Sequence, residues 1–400
     1  MGKGAWLFLV CVTCGLFTGV YTWVSLSRAA GLVRDDSLPP VVGGLSSEPE
    51  VPVVQTFAPA PRDSPVELDT TSVTALPGIS APTGDRPAVE PVDVSSGWRD
   101  PAQVNRQPRV LLRHLGLDRS FGFLAVDLGD QLQGARQATT LSCHRVHFAM
   151  GRGVCLAVER RFFTMYTAVL FDAAFQPTHT LPLNGIPSRT RLSPDGRYAA
   201  ITVFVAGHSY SEGRFATETS IVDMEAGTLL VANLEEFDVR RDGQSFSELD
   251  FNFWGVTFAA NGNRFYATLS TGGVFYLVEG DIAARRAYIV SDGIECPSLS
   301  PDETRVAFKK RLSPGGRVSW QLSVLDLATL KAMPLAETRS VDDQVEWLDD
   351  DRVLYELPDE VGSATANVWV VPSDGTGRPE VFLENAASPA VVRVVGTSVS

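Results

Sequence analysis

The chain has 400 residues, 44% of them hydrophobic, enough for one domain of roughly 250–300 residues with appendages. Its formal net charge is −13 and no Lys/Arg-rich run offsets that balance locally. A chain of this sign repels a phosphate backbone, so nucleic acid is excluded as an expected partner.

From Gly4 to Ser27 no residue carries a charge. As a helix rising 1.5 Å per residue this stretch is about 36 Å long, enough to cross a hydrocarbon core of about 30 Å. Trp6, Tyr21 and Trp23 fall toward its two ends, where aromatic rings favour the membrane interface. The alternative is a cleaved signal peptide with Ser27-Arg28-Ala29 as its small-x-small site, but the apolar run exceeds the roughly 7–15 residues of a signal core. Neither Cys11 nor Cys14 follows a lipobox, and Trp6 stands where myristoylation needs Ser or Thr. Residues 1–34 are therefore expected to hold the chain, single-pass, in a bacterial cell membrane through residues 4–27, with secretion after cleavage as the alternative.

Residues 35–105 change character. Prolines recur from Pro39 to Pro101 among Ser, Thr, Val, Ala and acids, with no apolar period of 2 or 3.6. Proline removes donors and fixes φ, so this segment reads as a disordered linker that displays residues 106–400 outside the cytoplasm.

Past residue 108, short strands and turn signals dominate. Phe148-Ala-Met-Gly-Arg-Gly153, Leu192-Ser-Pro-Asp-Gly-Arg197, Phe258-Ala-Ala-Asn-Gly-Asn263, Leu299-Ser-Pro-Asp-Glu-Thr304 and Trp347-Leu-Asp-Asp-Asp-Arg352 share one pattern. A bulky apolar residue is followed by a polar turn and then by an apolar strand. Asp-Gly and Asn-Gly suit positions with positive φ, which closes a hairpin. The spacing is about 45 residues, except for one gap of about 66, and a period of that size with about four strands marks a β-propeller blade. Ser220–Met224, Gly273–Val278, Gln321–Leu327 and Asn367–Val371 read as third strands. The long gap holds Glu235–Asp250, expected as an acidic loop projecting from one face. Arg109–Leu115, Gly122–Leu128 and Ala135–Leu141 lack a fourth strand of their own, and Ser388–Val395 is expected to join them in a sixth blade. The expected fold is thus all-β: a six-bladed propeller of four-stranded blades, closed by its N- and C-terminal strands, behind a transmembrane helix and a linker.

The two Leu-Ser-Pro-Asp turns, each before an apolar strand, resemble the PD40 repeats of TolB-like six-bladed propellers, here of a membrane-anchored, actinobacterial type. The resemblance spans about residues 109–400. Related propellers bind envelope proteins or gate substrate access in prolyl oligopeptidase-like peptidases. TolB itself is soluble and periplasmic and carries an extra α/β domain with no counterpart here, so its role is not carried over.

Candidate chemistry is sparse. Gly207-His-Ser-Tyr-Ser211 departs from G-x-S-x-G at its last position, and His114, His144, His147, His179 and His208 are the available bases. Cys143-His144-Arg-Val-His147 with Cys155 invites zinc, but the spacing is wrong for a zinc ribbon, although alternation would put Cys143 and His147 on one strand face. A Cys143–Cys155 disulfide across the Met150–Gly153 turn fits an extracytoplasmic domain better, leaving Cys296 as a buried thiol. Asp342-Asp343 and Asp349-Asp350-Asp351 lack calcium-loop spacing and read as solvated turn charges. No metal or other cofactor is expected. The expected function is non-catalytic binding of another envelope protein or a cell-surface component through a propeller face and the insertion. Glu235, Glu236, Asp238, Arg240, Arg241, Phe251 and Trp254 are the candidate contacts. The alternative is a lyase or glycan hydrolase with its active site in the central channel.

Overall fold

The computed structural model describes residues 109–127, 136–160, 162–205, 216–313, 318–360 and 363–393. The expected membrane segment 4–27, the linker 35–105 and Gly207–Ser211 lie outside them. Among the described residues no helix is long and apolar enough to cross a membrane.

Six sheets, antiparallel except for one parallel pair in the fourth, follow one another along the chain. The first holds β1 (Arg109–His114), β2 (Phe123–Asp127) and β3 (Arg136–Ser142). The second holds β4 (Arg145–Ala149), β5 (Arg152–Arg160), β6 (Thr164–Asp172) and β7 (Pro177–Pro182). The third holds β8 (Ile186–Leu192), β9 (Tyr198–Val205), β10 (Ala216–Asp223) and β11 (Thr228–Val231). The insertion contributes β12 (Asp238–Arg241) and β13 (Gln244–Ser245) to the fourth, with β14 (Asn252–Phe258), β15 (Arg264–Thr271), β16 (Val274–Asp281) and β17 (Arg286–Asp292). The fifth holds β18 (Glu295–Leu299), β19 (Arg305–Leu312), β20 (Ser319–Asp326) and β21 (Lys331–Pro334). The sixth holds β22 (Glu346–Trp347), β23 (Arg352–Pro358), β24 (Ala366–Pro372) and β25 (Glu380–Leu383). β26 (Ala386–Val392) then pairs antiparallel with β1 and is the inner strand of the first sheet. The protein is a six-bladed β-propeller of four-stranded blades, with two extra strands on blade four.

Alternation explains why the blades stack. In β1, Val110 and Leu112 pack with Leu354 and Val368 of blade six, while Leu111 packs with Val146 and Phe148 of blade two. Each of the other four blade interfaces has its own apolar cluster; Leu156 and Leu170 of blade two, for instance, meet Ile201 and Val222 of blade three. Inner strands are accordingly buried on both faces, as in β14, whereas the outer strands β7 and β21 are mostly exposed. Pro177, Pro182 and Pro334 lie in those outer strands, where a missing N–H blunts the edge against further pairing.

The repeated turn is built by its side chains. Ser193 Oγ accepts the Tyr198 N–H at 3.0 Å and donates to Asp195, whose carboxylate accepts the Arg197 N–H at 3.1 Å. Blade five repeats this with Ser300, Asp302, Thr304 and Arg305 at the same distances. Gly196 takes φ 70°, where glycine has no steric cost; its counterpart Glu303 takes φ 57°.

Two local expectations change. Glu235–Asp250 is not a projecting loop: β12 pairs in parallel with β17, and β13 pairs with β12, so the segment widens blade four at its outer edge. Phe237 and Val239 are buried in the blade core and hold it there. Cys143 and His147 do not share a face either. Strand pairing begins at Arg145, so Cys143 lies before the alternation starts and packs with Val146 and Phe148.

Cys143 and Cys155 are joined by a disulfide with Cα atoms 5.2 Å apart, and Cys296 is a buried free thiol. Closing a loop of this size stabilises by about 2–3 kcal/mol in the chain-entropy picture. A non-reducing peptide map should recover the two cysteines in one cross-linked fragment. Reduction should lower stability by about that amount; an unchanged urea midpoint would contradict the assignment.

Candidate functional site: the channel and its two mouths

The inner strands β4, β8, β14, β18, β22 and β26 surround the propeller axis. Their C-terminal ends meet on the face that carries the two Ser-Pro-Asp turns, here the turn face. Their N-terminal ends, with the β5–β6, β9–β10 and β19–β20 connections, form the far face. Alternate residues of the inner strands face the axis, and many of them are charged.

The charges fall into three layers. Nearest the turn face, Arg191 of blade three reaches across to Glu346 of blade six and also donates to the Val345 carbonyl at 2.9 Å. Arg393 lies 3.3 Å from the other Glu346 oxygen. His147 Nδ1 accepts the Leu192 N–H at 3.1 Å, which assigns the ring proton to Nε2, 3.6 Å from Glu346. Burial alone would push the Glu346 carboxyl up, but Arg191, His147 and Arg393 hold it far below the usual carboxylate range. Burial lowers the His147 pKa against the pull of Glu346, so the ring is neutral.

In the middle layer, Arg145 of blade two pairs with Glu356 of blade six at 2.8 Å, and Glu356 also accepts the Ser388 N–H at 3.1 Å. Asp343 accepts the Glu356 N–H at 3.0 Å, and burial raises its pKa despite Arg189 nearby. Asp343 and Glu356 are thus neighbouring carboxyls shifted in opposite directions, the pattern of an acid–base pair. The space beside Asp343 is small, about 30 Å³, enough to hold water. A water there also suits the Nε atoms of Arg189 and Arg191, which are buried without an acceptor among the described residues.

At the far face, Glu295 accepts both arms of Arg311 at 2.8 and 3.2 Å and the Trp320 indole N–H at 3.2 Å. Lys309 pairs with Asp342 and lies 4.8 Å from the Trp320 ring centroid, while Arg311 lies 4.5 Å from that of Phe275.

Two cavities cap the channel. The turn-face cavity is about 240 Å³, with Phe258, Leu299, Trp347 and Val391 in its walls and Arg191, Glu346 and Arg393 at its floor. The far-face cavity is about 340 Å³, lined by Trp254, Trp320, Phe204 and the Glu295–Arg311 pair.

The structure does not unite the sequence-predicted contacts. Glu236 lies 3.7 Å from Arg285, and Glu235 is the middle residue of a 3-10 turn, Leu234–Glu236. Asp238 is held low by Arg240 and Arg286, and Arg241 stacks 5.6 Å from the Tyr276 ring centroid. These residues lie at the outer edge of blade four, away from the axis. Phe251 and Trp254 are buried: Phe251 packs against Phe246 and Phe253, and Trp254 packs against Phe275 and lines the far-face cavity. Of the Asp runs, Asp349 binds Arg352 in its turn, but Asp343 is buried in the channel rather than solvated. Among the described residues no three His, Cys, Asp or Glu side chains converge as a metal site.

No protein-family model and no curated protein matches this sequence. Solved structures do match in fold. TolB from Acinetobacter baumannii is 16% identical, with a TM-score of 0.51 over 72% of this chain and 67% of that one. A putative TolB from Agrobacterium tumefaciens is 13% identical, with a TM-score of 0.44 over 70% and 89%. A chain of a nidogen/laminin complex is 10% identical, with a TM-score of 0.48 over 72% and 98%. The fold is that of TolB-like six-bladed propellers; at these identities the likeness extends no further.

Two outcomes follow from the charge layers. Arg191→Leu strands a buried carboxylate and should cost about 3–5 kcal/mol in urea unfolding, most of it regained when Glu346→Leu is added. His144, beside Arg145 of the middle layer, is one source of pH dependence: burial, with Arg145 and Arg113 beside it, lowers its pKa to about 4. Unfolded, the ring takes its proton near pH 6.5, so stability should fall as pH drops from about 6.5 to about 4. His144→Gln should flatten that part of the thermal-midpoint profile, and an unaltered slope would count against it.

Proposed function

We propose that this chain is an extracytoplasmic binding propeller, tethered to the membrane through residues 4–27, with no chemistry of its own. Its partner is another envelope protein or a cell-surface component, received on the turn face. One observation carries the reading: the channel carboxylates are answered by guanidinium, ammonium or backbone N–H groups, and the pair shifted like an acid and a base lies beside a space of only about 30 Å³. A group kept ionised by two arginines, as Glu346 is, does not trade protons near neutral pH.

The turn-face cavity has the character of a docking pocket, with apolar walls and a few placed polar groups. Its floor carries two guanidiniums to one carboxylate, and Arg393 is nearly half exposed. That balance favours a partner segment carrying a carboxylate beside an apolar side chain.

The test is site-specific photocrosslinking in the native membrane. A crosslinker at Ala260, exposed on the rim, should capture one defined envelope component, identified by mass, and Arg393→Glu should cut the yield about tenfold or more. No captured species, or a yield indifferent to Arg393, would remove the turn face from the function.

A further inference from the structure

The far face carries an unusual set of exposed apolar side chains. Leu117 is 88% exposed in the β1–β2 connection, and Phe162 and Phe163 are 92% and 74% exposed between β5 and β6. Leu312 is partly exposed at the end of β19. In a propeller every second-to-third-strand connection falls on the same face, so these tips from blades one, two and five point the same way. The strand ends that gather around the far-face cavity mark that face.

Exposed basic residues stand two positions from each tip, Arg119 from Leu117, Arg160 from Phe162 and Lys310 from Leu312, with the exposed carboxylates Asp118 and Glu159 beside the first two. Phe162 and Phe163 stack edge to face, with centroids 4.9 Å apart, and present one aromatic knob. Separate projecting knobs do not form a groove for one peptide or helix. Apolar points with a basic residue at each base match the layering of a bilayer, where aromatic and aliphatic groups enter the interface and cations meet anionic headgroups.

We infer that the far face rests on the surface of an anionic bilayer, with the Phe162–Phe163 knob and Leu117 entering the interface. The inference rests on the tether proposed above. About 80 residues separate Ser27 from Arg109, so on the tether reading the domain stays close to the bilayer at high effective concentration and a weak interfacial affinity suffices. Resting there, the domain presents its turn face outward, toward a partner.

The full chain tests this. With Cys11→Ser and Cys14→Ser in place, a fluorophore goes on Thr164→Cys at the knob or on Ala328→Cys at the turn face; both positions are exposed. The protein is reconstituted into vesicles of phosphatidylcholine and phosphatidylglycerol that contain a lipid with a nitroxide near the headgroup. The label at 164 should be quenched at least about threefold more than the label at 328, less so in pure phosphatidylcholine or high salt. Replacing Phe162 and Phe163 by Ser should abolish the difference. If the chain floats with the vesicles but the two labels quench alike, bilayer docking is wrong and the tether stands. If the chain does not float, the tether is wrong and the docking falls with it. If position 164 is unquenched in vesicles yet shielded from modification in intact cells, the face belongs to a protein, which also overturns the bilayer reading.

Discussion

The arrangement depends on what joins blades that share no sheet. Side chains and backbone groups tie neighbouring blades: Ser388 to the Val146 N–H, His147 to the Leu192 N–H, Thr217 to the Phe253 carbonyl, Thr257 to the Leu299 N–H and Trp347 to the Ser298 carbonyl. Arg191–Glu346 does more, because blades three and six face each other across the axis. Such a buried pair adds little net stability over a well-packed apolar substitute. Its use is registry. The blade interfaces are made of similar Leu, Val and Phe side chains and discriminate poorly between offsets, whereas a misplaced guanidinium strands two buried charges.

Much of this architecture was legible in the sequence. Leu192 and Leu299 end the inner strands β8 and β18, and the Ser-Pro-Asp turns that follow have matching hydrogen bonds. The predicted third strands are β10, β16, β20 and β24. The charge layers were not legible, because Arg145 and Glu356 lie 211 residues apart and sequence spacing does not pair them. A usable signal was present: Arg145-x-His147 and Arg189-x-Arg191 put ionisable side chains on alternate positions of strands whose place in the repeat makes them innermost. Charge at that position faces the axis, not the solvent. The insertion was misread because its acidic composition outweighed the alternation of Phe237 and Val239, which signals a strand with a buried face. Trp254 belonged to the same aromatic run as Phe251 and Phe253, but only its position on β14 places it in a cavity wall.

The two faces divide the chemistry between them. On the turn face, short hairpins anchored by their own Ser and Asp side chains fix the rim of an apolar cavity over a cationic floor. On the far face, the connections carry exposed apolar tips around a mouth stiffened by cation–aromatic stacking. A channel filled by paired charges separates the two mouths, so each acts as a surface in its own right.

The seam between β1 and β26 has a consequence for how the protein is made. β1 leaves the ribosome before the other blade strands, whereas β26, which lies against its inner side, follows all of them. Until then the first blade is a three-stranded sheet with a bare inner edge, and the channel lacks one wall. Ring formation therefore waits for translation through Val392, and premature termination releases a chain with a pairing edge open to other chains. Of all the blade strands, β1 waits longest for its inner neighbour.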